Sequence, residues 1–259
     1  MKHLIRQLIG EAFYLRLHKW WRKDEITRRE NQNPEFIQRK NFYSSFIRNG
    51  ELCFDVGANI GNRVGPLLSL GARVVAVEPQ EYCYKILRGK YGNQIELVTE
   101  GLGERDDVKD FYISNAHTIS SFSEEFVDNV KNGRFKEYTW NEPIQVKITT
   151  LDSLIKKYGH PHFIKIDVEG YELEVLKGLT SPVPMISFEY MVPEQTAKIT
   201  ACIEQIERTG SHIECNYSIT ETMEFALDSW LPADQMKEYV YNKKFIDTEF
   251  GDVYCRIKS

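Results

Sequence analysis

The sequence lacks the features that mark secreted and membrane-spanning proteins. Its five cysteines include no Cys-x-x-Cys pair and mostly lie in apolar runs, which indicates a reducing, cytoplasmic compartment. No apolar run approaches the roughly 18 residues of a spanning helix. Arg6, Glu11 and Arg16 interrupt the N-terminal stretch too often for the core of a signal peptide. We therefore expect a soluble or peripheral protein without internal repeats.

A surplus of positive charge is also missing, since the 259 residues carry a formal net charge of −5. The charge is uneven: residues 1–30 hold eight basic and four acidic side chains, so the rest of the chain is the more acidic part. Binding to a phosphate backbone needs a basic face on the domain that does the chemistry. This distribution argues against nucleic acid as the substrate.

From Glu51 onward, short apolar or β-branched runs alternate with segments of helical period. This alternation predicts an α/β fold with a doubly wound, seven-stranded, mostly parallel sheet. The length of the chain suits one catalytic domain over residues 49–259. Strands are predicted at Glu51–Val56, Arg73–Val77, Ile95–Thr99, His162–Ile166, Met185–Glu189, Ile213–Tyr217 and Val253–Ile257.

A polar and aromatic segment at residues 115–142 interrupts this alternation, between a predicted hairpin strand at Val108–Ile113 and another at Ile144–Ile148. Long loops near the ligand edge of a sheet often cover the site. We therefore interpret residues 115–142 as a lid or substrate insert. Its aromatic side chains, Phe122 and Phe126 among them, could instead serve packing, and His117 is best explained as a structural histidine.

Residues 1–48 form a separate, helical N-terminal arm in this interpretation. Apolar residues follow helical spacing along one face: Leu4, Ile5, Leu8, Ile9, Ala12, Phe13, Leu17, Trp20 and Trp21. A basic amphipathic helix of this kind suits peripheral contact with the inner face of a membrane through residues 1–30. Packing on the catalytic domain or pairing in a homo-oligomer explains the pattern equally well, and is the more common outcome.

A glycine-rich turn follows the first predicted strand, at Asp55-Val-Gly57-Ala-Asn59-Ile-Gly61. In open parallel sheets, such a turn lets the backbone approach a cofactor closely. Gly61 would let the next helix pack on the strand, and the N-terminus of that helix would face a carboxylate. Glu78 ends the second strand, where an acid can accept hydrogen bonds from ribose hydroxyls. The turn and Glu78 together predict a nucleotide-cofactor site.

The details of the turn favour S-adenosylmethionine over a dinucleotide. Asp55 suits a cationic amino-acid group and would repel a pyrophosphate, and the spacing is not Gly-x-Gly-x-x-Gly. A nicotinamide oxidoreductase or epimerase remains the alternative, although no Tyr-x-x-x-Lys pair occurs in the helix where such enzymes carry it. A regulatory protein that only binds the cofactor is the second alternative.

The sequence resembles the FkbM-type class I methyltransferases over residues 51–190. The matching segments are Phe54-Asp-Val-Gly-Ala-Asn-Ile-Gly61, Val75-Ala-Val-Glu-Pro79, Thr150-Leu-Asp152, Ile164-Lys-Ile-Asp-Val-Glu-Gly-Tyr-Glu172 and the strand ending at Glu189. The resemblance implies S-adenosyl-L-methionine as methyl donor and a hydroxyl as acceptor. It implies that Asp55, Gly57, Asn59 and Gly61 hold the methionine portion, that Glu78, followed by Pro79, holds the ribose, and that Glu100, Gly101 and Leu102 border the adenine.

Three acidic residues follow the fourth and fifth strands and are the candidate catalytic groups. We expect that Asp167 or Glu169 positions or deprotonates an acceptor hydroxyl and that Glu189 orients it. Alternatively, Asp167 contacts the cofactor and Glu169 caps the next helix. Carboxylates also bind Mg²⁺, so metal dependence stays open, but the ligand pattern does not favour a metal.

The sequence thus predicts an O-methyltransferase that uses S-adenosylmethionine. By resemblance, its acceptor is a glycan, a glycolipid or a secondary metabolite, with a saccharide or lipid-linked molecule among the candidates. The residues themselves identify neither the acceptor nor the position that is methylated.

Overall fold

The computed structural model describes residues 33–210 and 212–258. Its strands are β1 Leu52–Val56, β2 Arg73–Val77, β3 Ile95–Val98, β4 Gly101–Leu102, β5 Asp107–Phe111, β6 Ile144–Thr149, β7 Phe163–Ile166, β8 Met185–Met191, β9 Ile213–Ile219, β10 Leu231–Pro232 and β11 Phe250–Ile257. Each of the strands predicted from the sequence is present, with ends that differ by up to three residues.

Eight strands form the main sheet in the order β10-β9-β11-β8-β7-β1-β2-β3. Strands β3, β2, β1, β7 and β8 pair in parallel, whereas β11 is antiparallel to both β8 and β9. The additional strand, β10, is a two-residue edge strand. The predicted fold class, a doubly wound and mostly parallel α/β sheet, is therefore confirmed. The strand order reverses between β1 and β7, the place where open sheets bind ligands.

Nine α-helices surround the sheet in the described part of the chain: α1 Pro34–Ser44, α2 Val64–Ser69, α3 Glu81–Tyr91, α4 Glu124–Lys131, α5 Leu151–Tyr158, α6 Glu172–Lys177, α7 Thr196–Glu207, α8 Ala233–Tyr239 and α9 Lys243–Ile246. Side chains alternate across each strand, so Phe54 packs into one core and its neighbour Cys53 into the other. Burial on both faces explains why the central strands are almost continuously apolar. None of these helices could span a membrane.

Helix α1 covers the sheet on the Cys53 side. Asn33 caps it, with its side chain accepting from the Glu35 amide at 3.0 Å. The rings of Phe42 and Tyr43 are buried in a cluster with Phe163 and other aromatic side chains. The end of the predicted arm thus packs on the catalytic domain. The amphipathic face from Leu4 to Trp21 lies outside the described residues, so membrane contact and dimerisation stay predictions.

The insert at residues 115–142 folds against the carboxyl ends of the strands. Its helix α4 begins after Ser123, whose side chain accepts from the Phe126 amide at 3.0 Å. Phe126, Val127 and Val130 form a small core with Met191 at the end of β8. Phe122 precedes α4, so its spacing to Phe126 does not reflect one helical face. A second, three-stranded sheet in the order β4-β6-β5 flanks the insert.

Candidate active site

The glycine-rich turn lies between β1 and β7, where Gly57 is packed against the backbone of Asp167. Gly57 has a φ of +80°, and a Cβ added to it would lie 1.7 Å from the Asp167 carbonyl oxygen. The amides of Gly57 and Ala58 both donate to the Val77 carbonyl, at 2.9 and 3.0 Å. Only glycine fits this conformation and this close approach. The turn therefore holds the ends of β1, β2 and β7 together.

Glu78 ties this turn to the end of β2. Its two carboxylate oxygens accept from the amides of Asn59 and Gln80, each at 2.8 Å. Burial raises the pKa of Glu78 to about 7, although both amides favour its charged form. A carboxylate held so rigidly at the strand end can accept hydrogen bonds from a ligand, as the sequence analysis expects of a ribose-binding acid.

A cavity of about 200 Å³ lies beside the turn. The predicted site residues that line it are Asp55, Gly57, Asn59, Glu78, Pro79, Gly101, Leu102, Asp167, Glu169 and Glu189. The structure thus brings the predicted cofactor residues and the predicted catalytic residues to one cavity. Phe122 of the predicted insert also lines the cavity, whereas sequence reasoning assigned no role in the site to Arg63, Thr118, Tyr171 and Glu221, which line it too.

Two predicted cofactor residues do not line the cavity. Gly61 faces α3: an added Cβ would lie 2.6 Å from the Tyr91 ring, and the Tyr91 hydroxyl donates to the Gly61 carbonyl at 2.9 Å. Its glycine identity is thus explained by packing between helices. Glu100 is exposed and precedes the short strand β4 that supplies Gly101 and Leu102.

The three candidate catalytic carboxylates meet at the wall of the cavity. Carboxylate oxygens of Asp167, Glu169 and Glu189 all lie within 4.8 Å of one another. Because β7 ends at Ile166 and Glu169 has a φ of +54°, strand alternation does not decide where Glu169 points. Burial and the neighbouring Asp167 raise the pKa values of both glutamates well above the usual range. Such a cluster can hold a proton between carboxylates.

Lys165 keeps Asp167 ionised. The Lys165 ammonium is 1% exposed and lies 3.2 Å from an Asp167 oxygen and 2.6 Å from Asp252 on β11. Burial raises the pKa of Asp167, but the charges of Lys165 and Arg63 outweigh it and lower that pKa below its usual value. The cluster therefore combines one charged aspartate with two glutamates that take up protons more readily.

The insert supplies part of the cavity wall and contacts the glycine-rich turn. Asn59 donates to the His117 carbonyl at 3.1 Å, and the Ser121 hydroxyl donates to the Glu169 carbonyl at 2.7 Å. The Phe122 ring lies 5.7 Å from Tyr171. His117 also lines the cavity, and its buried Nδ1 has no partner among the described residues. These contacts place the insert beside the cavity, while its limits and its role as a lid or substrate insert stay predictions.

Glu172 supports the loop that carries the acidic cluster. It is buried, and one of its oxygens accepts from the amides of Val168 and Gly170, both at 3.1 Å. Burial raises its pKa from 4.5 to about 7. The folded protein therefore binds the Glu172 proton more tightly than the unfolded chain does. The resulting contribution to the free energy of unfolding is fully present below pH 4.5 and is lost as the pH rises through 7.

We expect Glu172→Gln to flatten the dependence of stability on pH. Between about pH 6 and 8.5 the wild type should lose on the order of 1 kcal/mol more unfolding free energy than the variant. Urea unfolding at the two pH values measures this difference. Glu174→Gln on the same helix is the matched control, because that side chain is 34% exposed. Equal pH slopes in Glu172→Gln and wild type would contradict the expectation.

Comparison with known proteins finds a matching family model and distantly similar solved structures. Residues 55–219 match the model of the methyltransferase FkbM domain. The solved structures to which this chain is distantly similar include a TehB-like S-adenosylmethionine-dependent methyltransferase from Corynebacterium glutamicum. That protein is 10% identical, with a TM-score of 0.43, over 85% of this chain and 88% of its own.

Two further solved structures share this distant likeness. A rRNA methylase from Streptococcus thermophilus is 12% identical, with a TM-score of 0.43, over 85% of this chain and 94% of its own. The O-methyltransferase TomG from Streptomyces achromogenes was solved with S-adenosylmethionine. It is 8% identical, with a TM-score of 0.40, over 90% of this chain and 86% of its own. No curated protein matched the sequence. The family model matches residues 55–219, which is more than half of the chain, and this match shows that the chain belongs to the FkbM methyltransferase family.

Proposed function

We propose that this protein is an S-adenosylmethionine-dependent O-methyltransferase. The observation that carries the proposal is the single cavity lined by the Gly57 turn, by Glu78 and by the cluster of Asp167, Glu169 and Glu189. A donor site and a proton-accepting site in one cavity are what methyl transfer to a hydroxyl requires.

The residues present fit the donor. Gly57 lets the turn pack against Asp167 at the wall of the cavity. One oxygen of the buried Asp55 has no hydrogen-bond partner among the described residues. Burial raises the pKa of Asp55 to about 6, so this oxygen favours a cationic partner such as the ammonium of a methionine group. S-adenosylmethionine, when bound, supplies an activated methyl group on sulfur. The role of Asp55, Gly57, Asn59 and Glu78 is then to bind and orient it.

On the acceptor side, the acidic cluster takes up the hydroxyl proton as the oxygen–methyl bond forms. Burial and the neighbouring Asp167 raise the pKa values of Glu169 and Glu189, so either one, when ionised, binds a proton more tightly than an exposed glutamate does, while Asp167 stays ionised beside Lys165. Phe122 and Tyr171 supply aromatic surface on which a sugar ring can stack. We propose a glycan, glycolipid or secondary metabolite as acceptor, in the cytoplasm, and no role for nucleic acid.

We expect Mg²⁺ to be unnecessary. The three carboxylates lie close enough to share a cation, but Asp167 already pairs with Lys165, and Arg63 adds a second positive charge nearby. Positive charge at this distance weakens the attraction for a divalent ion. Methyl transfer should therefore persist, within about twofold, after the chain is treated with a chelator and dialysed. Loss of activity that Mg²⁺ restores would overturn this expectation.

A methyl-transfer assay with tritium-labelled S-adenosylmethionine against saccharides, glycolipids and aromatic hydroxy compounds tests the proposal. We expect label in at least one hydroxyl-bearing acceptor, with loss of transfer when that hydroxyl is blocked. Labelling of amines or thiols alone would contradict O-methylation. Binding of the donor with no transfer to any of these acceptors would instead favour a regulatory role.

A further inference from the structure

A guanidinium, that of Arg63, lies at the wall of the cavity just before helix α2. Arg63 is the only lysine or arginine among the described residues that line the cavity, and its side chain is 11% exposed. Its Nη2 lies 2.8 Å from an oxygen of Glu221, in the loop after β9. Its Nε is buried and has no hydrogen-bond partner among the described residues. This guanidinium is therefore only partly satisfied.

Glu221 is held from the other side by helix α1. The second Glu221 oxygen lies 3.3 Å from Nη2 of Arg39. The side-chain amide of Gln38 donates to the Thr222 carbonyl at 2.6 Å, which ties the same loop to α1. Arg39 and Glu221 both lie outside residues 55–219, the part that matches the family model. This chain thus builds one edge of the cavity from segments outside the matched region.

The charges around Arg63 limit what it can bind. A guanidinium presents five N–H donors in a planar fork, and one carboxylate oxygen leaves most of them without a partner. The rest of the wall is acidic, with Asp55, Glu78 and Asp167 among its residues. An anionic group of a ligand is therefore repelled elsewhere and attracted at Arg63.

Helix α2 begins directly after Arg63, at the end of the glycine-rich turn. It has six residues, Val64–Ser69, and Arg63 at its start makes no side-chain cap. The positive charge at the end of the glycine-rich turn is thus the guanidinium itself. Burial raises the pKa of Asp55 and the charge of Arg63 lowers it, so the guanidinium lies near Asp55, the proposed partner of the methionine ammonium.

We infer that Arg63 binds the α-carboxylate of the methionine portion of the donor, and that Glu221 is the resident counter-ion with which this carboxylate competes. The inference rests on the proposed function, because it assigns a residue to the donor of that reaction. An anionic group on the acceptor has the same chemistry and would use the same guanidinium. The two cases can be told apart with a ligand that lacks the amino-acid portion of the donor. If Arg63 binds the α-carboxylate of the donor, substitution of Arg63 weakens only ligands that carry this portion.

Calorimetric titration of the full chain with two ligands separates these cases. S-adenosylhomocysteine carries the α-carboxylate, and 5′-methylthioadenosine lacks the amino-acid portion. We expect Arg63→Gln to weaken S-adenosylhomocysteine roughly 10- to 100-fold and to leave 5′-methylthioadenosine within about twofold. Arg63→Lys keeps the charge but loses the fork, so it should give an intermediate loss.

Glu221→Gln should act in the opposite direction. Its amide oxygen still accepts from Nη2 of Arg63, but the competing negative charge is removed. S-adenosylhomocysteine should then bind roughly two- to fivefold more tightly, with 5′-methylthioadenosine unchanged. Arg256→Gln is the matched control, because that arginine pairs with Glu214 and lies opposite Met185, at the far end of β8.

The outcomes distinguish the inference from the function on which it rests. Wild-type chain that binds neither ligand overturns both. If the wild type binds S-adenosylhomocysteine but Arg63→Gln leaves the affinity for both ligands unchanged, the role of Arg63 is overturned and the proposed function stays in place. Arg63 then serves an anionic acceptor or the fold alone. If Arg63→Gln weakens both ligands equally, the role of Arg63 is likewise overturned. Retained binding of 5′-methylthioadenosine shows that the variant is folded.

Discussion

Gly57→Ala is expected to abolish cofactor binding and to destabilise the fold. The new Cβ would lie 1.7 Å from the carbonyl oxygen of Asp167, and the backbone has a φ of +80°. Neither the carbonyl nor the turn can move freely, because the Gly57 amide donates to Val77 and the Asp167 amide to Val56, both at 2.9 Å. The strain and the overlap together should cost about 3–5 kcal/mol of unfolding free energy.

Urea unfolding and titration with S-adenosylhomocysteine measure the two effects. Gly89→Ala is the matched control, because Gly89 lies in helix α3 and an added Cβ meets nothing within 4 Å. That variant should be more stable by roughly 0.5–1 kcal/mol and should bind as the wild type does. If Gly57→Ala matched the wild type in stability and binding, the close approach of β1 and β7 described above would be wrong.

At least one of the two variants Asp167→Asn and Glu169→Gln is expected to lower kcat strongly. The carboxylate that takes up the acceptor proton contributes a factor of about 10² to 10⁴, and an amide cannot replace it. Glu189→Gln should have a smaller effect if Glu189 orients the acceptor. Single-turnover methyl transfer at saturating donor measures the chemical step, and Glu174→Gln is again the control.

The variants also separate catalysis from cofactor binding. An unchanged affinity for S-adenosylhomocysteine with a lowered kcat places the residue on the acceptor side. A weakened affinity in Asp167→Asn would instead favour the alternative in which Asp167 contacts the donor. If both variants kept near-normal turnover, the assignment of a carboxylate base to this cluster would be wrong.

The sheet could be predicted because its strands are buried on both faces. The run Val74–Val77 is apolar at consecutive positions, and the predicted strand Arg73–Val77 agrees with β2 residue for residue. Strand ends were less certain: β11 begins at Phe250, three residues before the predicted Val253. Gly251 and Asp252 break the apolar pattern there. Asp252 is nevertheless buried, because it pairs with Lys165 from another strand.

The candidate site could be predicted where function depends on position at a strand end. Gly57, Glu78 and Asp167 each follow a parallel strand, so the topology alone brings them to one edge of the sheet. The resemblance places Gly61 at the cofactor, but a local motif does not reveal that Tyr91 packs against this glycine. Whether these residues bind and react as predicted stays a prediction.

The residues that sequence reasoning missed depend on contacts between distant segments. Arg63 and Glu221 are 158 positions apart, and local patterns carry no information about such a pair. Lys165 did leave a signal, since a lysine inside the buried run Phe163–Ile166 requires an acidic partner. Its acidic partners are Asp167, two residues further along the chain, and Asp252 on β11, which is separated from β7 by β8.

Calorimetric titration of the full chain with S-adenosylmethionine and with NAD tests the central claim most directly. We expect saturable binding of one S-adenosylmethionine per chain and none of NAD. Glu78→Ala should weaken that binding at least tenfold, because the ribose would lose its acceptor and the amides of Asn59 and Gln80 would lose theirs. Binding of NAD, or binding of S-adenosylmethionine that Glu78→Ala leaves unchanged, would contradict the assignment of this cavity to the methyl donor.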